Sequence, residues 1–65
     1  MPGPMRWQLK SKYLFFGDFV VRGVVYVGDI VEEIPPRHPP LVRLRHPDDP
    51  ARSDDVPYQL LVQVD

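Results

Sequence analysis

The chain has 65 residues, 43% of them hydrophobic, with no cysteine and a formal net charge of −1. This length leaves room for one domain, and the apolar fraction excludes a fully disordered chain. The absence of cysteine excludes a disulfide framework and a thiolate metal cluster. A domain this small commonly needs a disulfide, a metal or a second chain to be stable, so its composition favours contact with a partner.

The charge is unevenly distributed along the chain. Residues 1–45 carry seven Lys or Arg and four acids, whereas residues 46–65 carry Arg52 and five aspartates. This balance lacks the domain-wide positive charge of a duplex-DNA binder.

The start of the chain has no apolar run of the kind found in signal peptides, and no apolar stretch approaches a membrane span. We therefore expect a protein that is not secreted and does not contact a membrane.

The first half of the sequence predicts short strands separated by turns. Polar and apolar residues alternate from Met5 to Phe16, which predicts a first strand with Trp7 and Leu9 on one face. Gly17-Asp18 and Gly28-Asp29 each interrupt an apolar run. Because glycine tolerates positive φ and aspartate can bond to nearby backbone, both pairs predict tight turns or kinks at strand entry.

The second half is richer in proline. Residues 35–40, with the sequence PPRHPP, predict a stiff extended segment, and residues 41–45 predict a short strand with Val42 and Leu44 on one face. Residues 46–57 contain four aspartates and three prolines and are predicted to form a loop. Residues 58–64 predict a last strand in which Tyr58, Leu60, Val62 and Val64 share one face.

These elements predict an all-β fold, because prolines leave little room for helices. Five or six short strands in one domain, residues 1–65, favour a small barrel or a rolled antiparallel sheet with Pro-rich loops over a flat sandwich. The predicted attachments to this domain are an N-terminal arm at 1–5, a Pro-rich loop at 35–40 and an acidic loop at 46–57.

Apolar residues occupy adjacent positions between residues 13 and 21, so both faces of the sheet are apolar there. A small barrel has only one interior, so either the loop 35–40 or another protein chain must cover the second face. In the second case, the aromatic residues would be buried anchors and the prolines would form a preorganised arm. The residues predicted to contact that chain are Trp7, Leu14, Phe16, Phe19, Val21, Pro35, Pro36, Arg37, His38, Pro39 and Pro40.

The residue types that support catalysis or metal binding are sparse. Ser11 and Ser53 are the only serines, and neither lies in the context of an activated nucleophile. Adjacent acids in a polar loop are normally solvated, and His46 with Asp48 lacks the spacing of a zinc or calcium site. We therefore expect a protein without enzymatic activity, cofactor or metal.

Basic residues leave nucleic-acid binding open as a less favoured alternative. The predicted contacts lie in two rows, Arg6, Lys10 and Lys12 on the first strand and Arg43 and Arg45 on the strand at 41–45. If these strands are neighbours, the rows form one basic strip. The aromatic residues of the first strand lie on the face opposite its basic residues. This weakens the alternative, because a surface that stacks bases needs aromatic and basic residues on the same face.

Residues 23–34, with the sequence GVVYVGDIVEEI, resemble a segment of SH3-like small barrels, in which a strand with an aromatic residue enters Gly-Asp. This segment occurs in KOW-type RNA-associated modules and in small bacteriophage virion proteins. The resemblance implies a fold, and fold does not determine function.

The leading hypothesis is therefore a structural or interaction protein that docks on other chains in a larger or homo-oligomeric assembly. Its most specific form is a decoration or connector subunit of a bacteriophage virion, located in the virion; otherwise we expect a cytoplasmic protein. The alternatives are a nucleic-acid-associated SH3-like or KOW-type module and a small inhibitory regulator of a host enzyme.

Overall fold

A computed structural model describes residues 3–64, and all regular structure within them is extended apart from one short 3-10 helix at Tyr58–Leu60. The strands are β1 (Arg6–Leu9), β2 (Phe15–Phe16), β3 (Val20–Val21), β4 (Tyr26–Val31), β5 (Leu41–Arg45), β6 (Ser53–Pro57) and β7 (Leu61–Val64). Every pairing between them is antiparallel. The all-β prediction is confirmed.

Five strands form one sheet in the order β6-β5-β4-β1-β7, and β2 and β3 form a separate hairpin. Within the described residues, β6 and β7 are the edges of the five-stranded sheet, so the sheet is not closed into a barrel. The first two residues of the predicted arm 1–5 lie outside the described part of the chain, and Gly3 and Pro4 are exposed.

The core lies on one face of the sheet and is covered by the inner face of the hairpin. Trp7 and Leu9 are buried as their alternation predicts, and so are Val42 and Leu44 on β5. Among residues 3–64, the buried side chains are Trp7, Leu9, Val20, Tyr26, Val42, Leu44, Val56 and Leu61.

The predicted first strand is too long. β1 ends at Leu9 because the chain turns there, with the Tyr13 amide donating to the Lys10 carbonyl at 3.0 Å. The Lys10 amide donates to the carbonyl of Leu60 at 2.9 Å, which holds the start of this turn against the 3-10 helix. The turn breaks the alternation that begins at Trp7, so Phe15 does not share the buried face of that residue.

Gly28-Asp29 is not a turn, contrary to its prediction, because β4 passes through it without interruption. Before Gly28, β4 pairs with β1 through Tyr26 and Val27, and from Gly28 onward it pairs with β5. A Cβ at position 28 would overlap the carbonyl oxygen of Arg43 and lie 2.8 Å from Cδ2 of Leu44. Glycine is therefore required where β4 changes partner and approaches β5 closely.

The C-terminal part differs from the sequence prediction in two ways. Residues 53–57, predicted as part of an acidic loop, form β6, with Val56 fully buried beside Val42. Residues 58–60 form the 3-10 helix, so the last strand begins only at Leu61. The helical turn changes the phase: Leu61 is buried and Val62 is 48% exposed, the reverse of the predicted alternation.

Candidate functional site

The β2–β3 hairpin presents one apolar face to the core and another to solvent. Phe15 lies opposite Val21, and Phe16 lies opposite Val20. Because directly opposite residues of an antiparallel pair project from the same face, each pair belongs to one side of the hairpin. Val20 is fully buried and Phe16 packs against the core, so Phe15 and Val21 face outward.

The hydroxyl of Tyr26 fixes the hairpin on the sheet. It donates to the carbonyl of Phe19 at 2.9 Å and accepts from the amide of Val21 at 3.0 Å. The Tyr26 side chain is itself buried, and its ring lies 5.8 Å from that of Phe19. One core side chain therefore bonds the backbone on both sides of Val20.

A second polar contact fixes the hairpin turn. Oδ2 of Asp54 on β6 accepts from the amides of Asp18 and Phe19 at 2.9 and 3.2 Å. The turn begins at Gly17, which has a φ of +62°, so the predicted turn at Gly17-Asp18 is confirmed. These contacts tie the turn of the hairpin to the edge strand of the five-stranded sheet.

Phe19 is held by the loop between β5 and β6. Its ring lies 4.8 Å from the ring of His46 in an edge-to-face arrangement, and the Arg52 guanidinium lies 5.9 Å from its centroid. Edge-to-face aromatic pairs and cation–π contacts stabilise such packing beyond the area that they bury. Phe19 is half-buried, and its contacts attach the hairpin turn to the loop between β5 and β6.

The hairpin carries an exposed apolar surface, which we call the hairpin patch: Leu14, Phe15 and Val21. Their exposures are 61%, 71% and 42%, respectively. The amide of Arg22 donates to the carbonyl of Leu14 at 2.9 Å, which extends the pairing by one position and places Leu14 opposite Arg22, on the other side of the hairpin from Phe15 and Val21. These exposures show that residues 35–40 do not cover the second apolar face. Of the two expected arrangements, the covering loop is therefore wrong.

The predicted contact residues of the first half divide into three groups. Leu14 and Val21 lie in the hairpin patch, whereas Phe16 and Phe19 are half-buried beneath it. Trp7 is 1% exposed, and its indole nitrogen donates to the Gly28 carbonyl at 2.9 Å, so a docking surface on this chain is built without it.

Phe15 is the most exposed residue of the patch, and sequence reasoning missed it. The turn at Gly17-Asp18 contained the necessary signal. A three-residue turn over 17–19 pairs position 15 with 21, so Phe15 must face outward if Val21 does.

A second exposed apolar surface lies where β4 leads into the proline segment 35–40. Ile34 is completely exposed, and a cavity of about 520 Å³ opens between the end of β4 and the prolines. Across its rim, Nε of Arg37 lies 3.2 Å from Oε2 of Glu33. We call this cavity the proline groove; its main lining residues are Ile30, Glu32, Ile34, Pro36 and Pro40.

The proline segment itself bends where a straight extended run was predicted. Bends lie at 34–35 and 38–39, and the peptide bonds before Pro35 and Pro39 are cis. The side chains of residues 35–38 are exposed, whereas Pro39 and Pro40 are half-buried. The segment therefore forms a wall of the groove, and Pro40 accepts the Tyr58 amide at 2.8 Å through its carbonyl.

The two basic rows do not form a strip. Arg6 lies on β1 and Arg43 and Arg45 on β5, and β4 separates these strands. Lys10 and Lys12 lie in the turn after β1.

Acidic residues accompany both arginines of β5. Arg43 binds both carboxylate oxygens of Asp55, at 2.9 and 3.2 Å, and Arg45 lies 3.4 Å from Asp29. The bonded Asp55 carboxylate raises the pKa of Arg43 above its ordinary value. Both arginines of β5 are therefore in exposed ion pairs with acids of the neighbouring strands.

The acidic loop uses its polar groups for turns. Nδ1 of His46 accepts the Asp48 amide at 3.0 Å, and Oδ1 of Asp49 accepts the Ala51 amide at 3.1 Å. Between residues 3 and 64, no group of three or more His, Asp or Glu side chains is arranged to hold a metal ion.

Comparison with protein-family models, with curated proteins and with solved structures found no match to this chain. The helical residues of the described chain form a single short turn, and no helix there has the length and apolarity needed to cross a bilayer.

Proposed function

We propose that this protein is a non-enzymatic interaction module that docks on another protein chain through its hairpin patch. The observation that carries the proposal is the exposure of Phe15 and Val21, with Leu14 beside them in the chain, on a hairpin that is fixed to the core. Exposed apolar surfaces of this kind mark protein contacts in soluble proteins.

The hairpin is preorganised for docking. Two side chains from the five-stranded sheet hydrogen-bond to its backbone. The Tyr26 hydroxyl bonds the backbone on both sides of Val20, and the Asp54 carboxylate bonds the turn before Val20. A surface that is already ordered loses little conformational entropy on binding, which lowers the free-energy cost of docking. Complete burial of an exposed Phe side chain such as Phe15 contributes about 1.5–3 kcal/mol.

The polar groups near the patch support a docking role over a chemical one. Oδ2 of Asp54 accepts two backbone amides, and the hydroxyl of Tyr26 both donates and accepts within the fold. A general acid or base must be free to exchange a proton with a substrate, whereas these groups stabilise the backbone of the hairpin. The proposal therefore assigns no catalytic residue.

The finer fold proposal is that the chain belongs to the SH3-like class. Three features support it beside the resemblance of residues 23–34: β1 lies between β4 and β7, a hairpin is inserted between β1 and β4, and a 3-10 turn leads into the last strand. The bacteriophage decoration or connector subunit is the specific form of this proposal, and it depends on the same resemblance.

Site-specific photocrosslinking in the organism that makes the protein tests the docking role. A benzophenone amino acid at position 15 is compared with the same group at Ser53, which is exposed on the edge strand opposite Arg45. We expect position 15 to crosslink to a protein chain and position 53 to give far less of that product. Equal crosslinking at both positions, crosslinks to RNA or DNA, or no crosslink at position 15 would overturn the proposal.

A further inference from the structure

We infer that the partner of the hairpin patch is a second copy of this chain, which receives the patch in its proline groove. The inference rests on the proposed docking function and names the occupant. It follows from three properties of the two surfaces: each is uncovered, their charges are complementary, and their sizes agree.

One kind of contact covers two of the exposed apolar surfaces of residues 3–64. Phe15 projects from the hairpin patch, and Ile34 stands fully exposed at the proline groove. If the patch of one copy enters the groove of the next, every contact buries one surface of each type. Two surfaces of one chain that fit each other in this way form a heterologous interface.

Three cations that form no salt bridge within residues 3–64 lie near the hairpin patch in the chain, together with one acid, Asp18 of the hairpin turn. Lys10 and Lys12 lie in the turn that leads to Leu14, and Arg22 follows Val21 directly. Among residues 3–64 the salt bridges involve only Arg37, Arg43 and Arg45, so these three cations have no acidic partner within the described chain. The guanidinium of Arg22 instead donates to the carbonyl of Ser11 at 3.0 Å, which keeps it at the base of the hairpin.

The proline groove has a formal excess of one negative charge. Glu32, Glu33 and Arg37 line it together with His38, and Glu33 is bonded to Arg37. Glu32 is exposed and forms no salt bridge with any residue from 3 to 64. A patch with basic neighbours therefore meets a groove with an unpaired acid, and complementarity of this kind selects the partner and the orientation.

The dimensions of the groove suit the patch. Its volume of about 520 Å³ lies in the range of cavities that enclose a ligand of several side chains. Its lining includes the aliphatic side chains of Ile30 and Ile34 and the rings of Pro36 and Pro40. Phe15 and Val21 project from the same side of the hairpin, so these two side chains enter the groove together.

Each copy carries one patch and one groove. If two copies exchange both contacts, the product is a closed dimer; if they do not, the contacts continue into a ring or a chain. The mass of the assembly in solution therefore exceeds the 7.6 kDa of one copy.

Sedimentation equilibrium with two complementary variants tests the inference. Phe15→Ser removes the patch and keeps the groove, whereas Ile34→Ser removes the groove contact and keeps the patch. Both residues are exposed, so each variant should retain the fold, which far-UV circular dichroism verifies. The measurement covers about 10 μM to 1 mM protein, the range in which weak contacts are populated.

We expect the unmodified chain to associate, each variant alone to be monomeric, and an equimolar mixture of the two variants to form a heterodimer. The mixture retains one intact patch and one intact groove, so its heterodimer has about twice the 7.6 kDa of one copy. Association of Ile34→Ser alone would show that patches contact each other. That result, or a mixture that stays monomeric, would overturn the inference.

Charge exchange gives a second measurement. Lys12→Glu alone and Glu32→Lys alone should each weaken association about two- to five-fold, as expected for an exposed ion pair. A mixture of Lys12→Glu with Glu32→Lys should recover part of the lost affinity, because the exchanged charges again attract each other. A mixture that associates no better than either variant alone contradicts the charge argument.

The two proposals fail in different ways. If the purified chain is monomeric throughout but position 15 crosslinks to a different protein in the native organism, self-association is wrong and docking stands. If position 15 crosslinks to nothing and the chain is monomeric, both proposals are wrong.

Discussion

The carboxylate of Asp54 occupies the space that a side chain at Gly17 would require. A Cβ built on Gly17 would lie 2.6 Å from Oδ2 and 2.8 Å from Cγ of Asp54. The same oxygen accepts the amides of Asp18 and Phe19, so the acid can approach the turn only because position 17 is glycine. The Asp54 carboxylate therefore joins the hairpin turn to the five-stranded sheet, in addition to the Tyr26 hydroxyl, and it does so in space left free by Gly17.

We predict that Asp54→Ala destabilises the protein by about 1–3 kcal/mol, because two backbone amides of the hairpin turn lose their acceptor. Asp54→Asn keeps one acceptor oxygen and should cost less. Urea unfolding followed by tryptophan fluorescence measures the change, since Trp7 reports on the core.

Asp48→Ala is the matched control for this prediction. Asp48 is an exposed aspartate of the neighbouring loop, and only its backbone amide takes part in a hydrogen bond. Its replacement should change stability by less than about 0.5 kcal/mol. Equal effects of the Asp48 and Asp54 substitutions would mean that Asp54 is solvated and does not hold the turn.

The hydroxyl of Tyr26 gives a second prediction about the hairpin. Tyr26→Phe leaves the amide of Val21 and the carbonyl of Phe19 without a partner and should cost about 1–3 kcal/mol. Hydrogen exchange at the Val21 amide should become faster as well, because local opening of the hairpin becomes easier.

Tyr58→Phe is the control, since the hydroxyl of Tyr58 makes no hydrogen bond with another residue between 3 and 64 and its side chain is largely exposed. That substitution should leave both stability and exchange at Val21 nearly unchanged. An unaltered exchange rate in Tyr26→Phe would show that the hydroxyl does not restrain the hairpin.

Alternation predicted the core where the strands are regular. Trp7 with Leu9 on β1 and Val42 with Leu44 on β5 are buried as their spacing of two requires. The strand β6 was missed because Val56 is its only buried residue, and acids and a serine surround it. Asp54 faces inward as a hydrogen-bond acceptor, and composition alone does not distinguish such an acid from a solvated one.

The hairpin patch was predicted only in part, because alternation predicts exposure only where the strands are regular. An excess of apolar residues between 13 and 21 is visible in the sequence, and the exposure of Leu14 and Val21 agrees with it. The position of Phe15 does not follow from it, because the turn after Leu9 changes the phase of the alternation. The proline groove could not be predicted, since it forms only when the end of β4 and residues 35–40 are brought together in space.

The alternation of buried and exposed residues in β7 can be tested by substitution. Leu61 is 4% exposed and belongs to the core, whereas Val62 points outward. We predict that Leu61→Ala costs about 2–5 kcal/mol, the range for truncation of a buried leucine. Val62→Ala should cost less than about 1 kcal/mol, because half of its side chain is already in water.

Thermal unfolding of both variants measures the difference, and Val64, only half-buried, has an intermediate expected effect. If Val62→Ala proves the more damaging substitution, the strand begins at Tyr58 and the alternation of residues 58–64 is uninterrupted.

Gly28 gives the last prediction, because it lies where β4 changes its pairing partner from β1 to β5. Gly28→Ala places a Cβ against the carbonyl of Arg43, which is part of the β5 backbone and cannot move without breaking the ladder. The substitution should therefore cost about 1–3 kcal/mol or more, as overpacking does in a core. It should also disturb the bond between the Trp7 indole and the Gly28 carbonyl, which a shift in tryptophan emission would report.

Gly3→Ala is the matched control, since a Cβ at Gly3 meets nothing within 4 Å. Its effect on stability should be within about 0.5 kcal/mol, and the tryptophan emission should not move. A Gly28→Ala protein as stable as the control would mean that β4 does not approach β5 closely at this point. In that case the strand would be free to end at Gly28-Asp29, as the sequence pattern alone predicts.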